Sequence, residues 1–132
     1  MWVFLLLGAA LAGNPYAEKS ELFEVQPFQW TAVSKLPGQI ELSLHIPSGS
    51  AVYRDQLGIV AIIGTIGEPI FPVSKLAVDP SNPEQYKALY DADVVIQVPA
   101  TAGDLVLQLT HQGCRAGLCW PQTTVEKKVT VK

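Results

Sequence analysis

The chain is poor in the groups that usually carry chemistry. Its 132 residues hold two cysteines, two histidines and one methionine, and that methionine is Met1. Structural zinc wants four ligands. His111, Cys114 and Cys119 offer three from one connection, and His45 lies far away in sequence. Blue copper wants a cysteine, two histidines and a weak axial methionine, which Met1 is badly placed to supply. We therefore expect no metal and no cofactor. There is no basic run and no interleaving of aromatic and basic residues, so nothing marks a nucleic-acid surface. The net charge is −3 and only 16% of residues are charged, whereas 48% are hydrophobic. That balance is a folded domain's, not a disordered chain's. No carboxylate pair suited to acid–base work stands out, and no nucleophile–base–orienter set is evident.

Long hydrophobic runs are also missing. Crossing a bilayer takes about 20 apolar residues. The most apolar stretch, residues 1–12, is shorter, and the later run Leu57–Ile66 is broken by Gly58 and Gly64. Residues 1–12 resemble the apolar region of a signal peptide, with Ala10-Leu11-Ala12 as an A-x-A cleavage site, although no Lys or Arg precedes them. Export would place the cysteines where a disulfide persists. Residues 13–20 read as a flexible leader, and the folded domain is expected over 21–132.

What remains is alternation. Ile40, Leu42, Leu44 and Ile46 share one parity, with Glu41, Ser43 and His45 on the other, the pattern of a half-buried strand. Leu22–Val25, Phe28–Val33, Ile59–Ile63, Asp93–Val98 and Leu105–Thr110 read as further strands. Pro37-Gly38 and Pro47-Ser48-Gly49-Ser50 mark turns. Val78–Tyr86, with Pro80 and Pro83, reads as an exposed loop. About eight short strands without a helical period predict an all-β, immunoglobulin-like sandwich. The Cys…Trp…Cys spacing of the immunoglobulin bridge is absent.

The chain is organised around residues 111–121, His-Gln-Gly-Cys-Arg-Ala-Gly-Leu-Cys-Trp-Pro. Leu105, Leu107 and Leu109 alternate before it, and Val125, Val129 and Val131 after it, so two strands flank a connection bearing both thiols. Gly113 and Gly117 give the backbone freedom to curl. Closing so short a loop stabilises a fold by only about 2 kcal/mol, which favours redox chemistry over a staple but leaves both open. His111 is expected to be a solvated strand residue.

Gln112-Gly113-Cys114, Ala116-Gly117-Leu118-Cys119 and Trp120-Pro121 resemble the active-site segment of the N-terminal periplasmic domain of the thiol–disulfide interchange protein DsbD. Trp120 stands where the family has Tyr, Gln122 where it has a second Pro, and the loop is one residue shorter. Tyr53-Arg54-Asp55-Gln56, about 60 residues upstream, is a second point of likeness. The resemblance implies thiol–disulfide exchange in the periplasm without a cofactor. Cys119 would attack and Cys114 resolve, with Tyr53, Trp120, Gly117 and His111 near the pair. It also implies thioredoxin-fold partners, a membrane electron donor, and a longer membrane-anchored protein of which this chain could be the N-terminal part. The family carries a cap loop over its cysteines. Its Phe-Tyr is missing here, and Tyr86 is the nearest aromatic candidate. The competing reading is a secreted immunoglobulin-like binding module whose disulfide is structural.

Overall fold

Strict alternation over 40–46 does build a strand with one buried face, and that strand anchors the first of three antiparallel sheets. The computed structural model describes residues 26–132. The expected signal segment, the leader and the Leu22–Val25 strand lie outside the described residues. In chain order the elements are β1 (Gln29–Val33), β2 (Gln39–His45), β3 (Ser50–Tyr53), a 3-10 turn (Arg54–Gln56), β4 (Gly58–Ile63), β5 (Lys75–Asp79), β6 (Asn82–Tyr90), β7 (Val94–Pro99), β8 (Gly103–His111), β9 (Gly113–Arg115), β10 (Leu118–Cys119) and β11 (Thr123–Val131). The sheets run β1-β2-β7, β10-β9-β3-β6-β5 and β11-β8-β4.

The core forms where the first and third sheets face each other, as in an immunoglobulin-like β-sandwich. In the first, Leu42 lies opposite Ile96 and Ile40 opposite Val98. In the third, Leu105, Leu107 and Leu109 point inward, with Ile59 and Ala61 beside Leu109 and Leu107. These leucines, Leu42 and Ile96 are buried. Each such side chain stabilises the fold by about 1.5–3 kcal/mol through its burial. The Pro37-Gly38 turn closes one end: the Gly38 N–H donates to the Lys132 carbonyl and the Gly38 carbonyl accepts from Ala100 N–H.

Two expectations from the sequence fail. Val78–Tyr86 is not a loop, because β5 and β6 pair as a hairpin with Leu76 opposite Ala88 and Val78 opposite Tyr86. The register shifts between Val78 and Asp79, and Asp79 lies opposite Asn82. That irregularity leaves Pro83 outside the regular ladder, where its missing N–H costs nothing. His111 is not solvated; it is 1% exposed. It shares the parity of Leu105, Leu107 and Leu109 and so faces inward with them.

The layered core predicts opposite outcomes on the two faces of the third sheet. Leu107→Ala is expected to cost about 2–5 kcal/mol. Val60→Ala, at an outward position 57% exposed, should stay within about 0.5 kcal/mol. Urea unfolding of both variants measures the contrast.

Candidate functional site

Between β8 and β11 the chain leaves the third sheet, joins the second, and returns. That excursion is the cysteine hairpin. Gln112 makes the crossing, its carbonyl accepting from the Tyr53 N–H at 3.3 Å and its side-chain amide donating to the Trp120 carbonyl. β9 then pairs with β3 through Ala51 opposite Cys114. β10 folds back on β9, with Cys119 directly opposite Cys114. The two-residue turn between them holds Ala116 at φ 51° and Gly117 at φ 80°. Positive φ at both positions is the type I′ requirement, which matches the right-handed twist of the flanking strands.

Register alone therefore sets the two sulfurs side by side, and they form a disulfide with Cα atoms 3.9 Å apart. Their access differs. Cys114 sits on an inner strand between β3 and β10 and is 2% exposed. Cys119 sits on the edge strand and is half-buried. Leu118 at the hairpin tip is exposed. Arg115, the nearest cation in sequence, donates from Nε to Ser50 Oγ at 3.0 Å.

Below the hairpin lies a floor of rings. Phe28 packs edge-on against Trp120, with centroids 5.3 Å apart, and against His111 at 5.6 Å. Gly113 lies against the edge of the Phe28 ring, and a Cβ there would collide with it. Its smallness therefore serves close packing, whereas Gly117 serves backbone conformation. The Trp30 indole N–H donates to His111 Nδ1 at 3.0 Å. His111 Nε2 meets Gln26 Oε1 at 3.2 Å. Both ring nitrogens are thus engaged inside the fold, and burial holds the imidazole below its ordinary pKa.

Above the pair stands Tyr53, on the same sheet face as Ala51 and Cys114. Its hydroxyl lies 3.7 Å from Cys119 Sγ. It donates to Asp79 Oδ1 at 2.5 Å. The same carboxylate oxygen accepts from the Ser81 N–H and hydroxyl, each at 2.9 Å. These bonds, Tyr53's first and the Ser81 backbone's next, hold Asp79 below the usual carboxylate range. Burial, then the bond to Asp79, pushes the Tyr53 phenol up. Lys87 lies 5.2 Å over the Tyr53 ring and 3.3 Å from Asp55. The tip of the β5–β6 hairpin reaches the cysteine hairpin: a Cβ on Gly117 would sit 3.8 Å from the Pro80 carbonyl oxygen.

The structure thus gathers Cys114, Cys119, Tyr53, Trp120, Gly117 and His111 in one region. Tyr86 is not with them. It pairs with Val78 on the opposite sheet face and is 68% exposed. The residues that meet the cysteine hairpin are Asp79, Pro80 and Ser81, held by an Asx-type turn rather than by an aromatic side chain. Nothing in the sequence marks Asp79, Ser81, Phe28, Trp30 or Gln26 as site residues. The Asp-Pro-Ser turn signal was there, but its contact with a tyrosine 26 positions upstream depends on the fold. Among the described residues no group of three or more His, Cys, Asp or Glu could hold a metal, and no helix is long and apolar enough to cross a membrane.

Residues 19–131 match the family model described as thiol:disulfide interchange protein DsbD, N-terminal. The chain belongs to the DsbD N-terminal family. The DsbD of Pseudoalteromonas atlantica is 28% identical over 128 residues, covering 94% of this chain and 22% of that protein. The DsbD of Actinobacillus pleuropneumoniae is 25% identical over 130 residues, covering 94% and 22%. The chain therefore spans about a fifth of the length of these DsbD relatives. Among solved structures, the reduced N-terminal domain of Neisseria meningitidis DsbD superposes with a TM-score of 0.66 at 18% identity, covering 81% of this chain and 90% of that one. The same kind of domain, in a structure of the complex between DsbD and PilB N-terminal domains from Neisseria meningitidis, gives 0.65 at 19%, covering 79% and 85%. At such identities the DsbD structures speak for the fold.

The turn geometry generates a prediction. Ala116 holds a left-handed conformation that costs a non-glycine residue about 1–2 kcal/mol, and asparagine tolerates it far better. Ala116→Asn is expected to raise the unfolding free energy of the oxidised domain by about 0.5–1 kcal/mol. Thermal and urea unfolding check it; a loss of stability would show that the turn does not impose this conformation in solution.

Proposed function

We propose that this domain performs thiol–disulfide exchange in the periplasm, cycling the Cys114–Cys119 pair between dithiol and disulfide to reduce oxidised partner proteins. One observation carries the reading: a half-buried cysteine on an edge strand sits directly opposite a fully buried one on an inner strand. A structural staple needs no such asymmetry, whereas exchange needs one sulfur a partner can reach and a second that can reach the first. In the reduced state the Cys119 thiolate attacks the partner's disulfide and displaces one partner thiolate, giving a mixed disulfide. Cys114 then loses its proton and attacks Cys119 Sγ. The Cys114–Cys119 disulfide forms, and the partner leaves with two electrons and both of its thiols. A dithiol donor restores the pair. Within a longer DsbD-type chain, that donor would be a membrane-embedded part and the acceptors thioredoxin-fold proteins. The Neisseria meningitidis complex of DsbD and PilB N-terminal domains supports docking of a second protein on a domain of this fold.

The assignment of roles is tested with single cysteine variants. Cys114→Ala should accumulate a mixed disulfide with an oxidised thioredoxin-fold substrate. Cys119→Ala should form none, and both should remain folded, since the short loop contributes only about 2 kcal/mol. Equal trapping by both variants would overturn the order of attack. A reduction potential below about −300 mV would assign the bridge to structure instead.

The Tyr53–Asp79 pair should restrain the thiol. Because Tyr53 spends its proton on Asp79, its oxygen faces Cys119 Sγ as an acceptor, suited to a thiol S–H rather than a thiolate. A carboxylate one hydroxyl away also disfavours negative charge on sulfur. Asp79→Asn in the reduced domain is expected to move the pH profile of iodoacetamide alkylation to lower pH, raising the rate at neutral pH roughly several-fold. An unchanged profile would show that this carboxylate does not act on the site.

A further inference from the structure

We propose that His111 is the positioning residue of the cysteine hairpin, and that it holds the hairpin only while its imidazole is neutral. The argument starts from a donor that has no alternative. An indole N–H can only donate, so the 3.0 Å contact from Trp30 makes His111 Nδ1 an acceptor. The proton then sits on Nε2, which donates to Gln26 Oε1 at 3.2 Å. The Gln26 amide donates onward to Thr123 Oγ1 at 2.7 Å, and the Thr123 hydroxyl donates to the Pro121 carbonyl at 3.1 Å. The relay runs in one direction, from Trp30 in β1 to the residue two places after Cys119.

This relay clamps both ends of the excursion. His111 is the last residue before the chain crosses to β9, and Thr123 is the first residue of β11 and its ladder partner. Phe28, which touches His111, also packs on Trp120 and covers Gly113. The groups facing the imidazole are Trp30 from β1, Phe28 and Gln26 from the segment before it, and Thr123 from β11. None of them is charged or titrates near neutrality, and burial lowers the ring's proton affinity.

A second proton would land on Nδ1. It would set an N–H against the Trp30 N–H and bury a cation with no anion to meet it, both strongly unfavourable. The ring would have to leave, and with it the Phe28 cover and the pull on Pro121. The sign follows from linkage. The folded affinity for the proton is below the unfolded one, so the released state binds more protons. The clamp is complete above about pH 6.5, the ordinary histidine value, and weakens as pH falls below it. The Cys114–Cys119 disulfide then becomes easier to reach from solution.

The inference concerns the site of the proposed exchange and rests on that reading for its purpose, but its test uses no partner protein. The probe is tris(2-carboxyethyl)phosphine. Its phosphorus attacks one sulfur, and water converts the adduct to phosphine oxide and two thiols. Reduction rates of the oxidised domain are measured from about pH 7.5 to about pH 5, the range in which histidine titrates, each divided by the rate for oxidised glutathione at that pH. The wild-type ratio is expected to rise about tenfold towards low pH, the equivalent of one pKa unit of coupling, while tryptophan fluorescence changes in parallel. His111→Gln, which cannot titrate, should flatten both. Trp30→Phe removes the opposing N–H, so the folded and released proton affinities draw together and the rise should shrink, which decides the matter if His111→Gln does not fold. A flat wild-type ratio, or a rise that survives in His111→Gln or keeps its full size in Trp30→Phe, would overturn the proposal. A domain that shows the rise yet exchanges with no partner would keep it and refute the exchange reading instead.

Discussion

From Thr123 opposite His111 to Val131 opposite Gly103, β11 stays in register with β8 along its whole length. Everything at the site depends on that ladder. It fixes where the chain leaves the third sheet and where it must come back, so residues 112–122 form a closed excursion with both ends pinned. Within that frame the β3–β9 pairing places Cys114 inside the second sheet, and the two-residue turn then leaves Cys119 one position to occupy. The sulfurs meet because backbone hydrogen bonds have already brought their strands together. The hydrophobic core beneath, with Leu105, Leu107 and Leu109 against Leu42 and Ile96, keeps the ladder in place.

Much of this was legible in the residues, and the misses share a cause. Parity gave the core face of β2 and β8, because alternation is a local property of a strand. It also covered His111, which continues the odd-numbered series from Leu105. Its polarity points to solvent, but its parity points inward, and parity prevails. The β5–β6 hairpin was hidden because two prolines and a run of polar residues mimic a loop. Only the bulge beyond Val78, a feature of pairing, lets Pro83 sit in a strand. Gly113 looked like a source of backbone freedom. Its real constraint is the Phe28 ring 85 residues earlier in the chain, and nothing in the local sequence announces such a distance.

The surroundings of the pair show a division of labour across the second sheet. On the cysteine face, Tyr53 joins the sulfur of Cys119 to Asp79 and Ser81, so a polar clasp replaces the aromatic cap that the family resemblance implies. On the floor, rings and a neutral imidazole support the hairpin without charge. The polar groups thus stand on the cysteine face of the sheet, and the uncharged ones beneath the hairpin. The electrostatic restraint and the mechanical support proposed for the pair therefore reside in different residues, on opposite sides.

The direct opposition of Cys114 and Cys119 has a kinetic consequence. Breaking the sulfur–sulfur bond need not release the strands, because they are also held by the Trp120 N–H to Gly113 carbonyl bond at 2.8 Å and by the pairing of β9 with β3. After reduction the two thiols face each other at a local concentration far above that of any incoming thiol. Intramolecular reactions of well-oriented groups reach effective molarities of roughly 10⁵–10⁸ M. An adduct formed on Cys119 in the proposed exchange would therefore be short-lived by construction. The backbone geometry of the hairpin, rather than the strength of docking, would then limit how long a covalently attached protein stays.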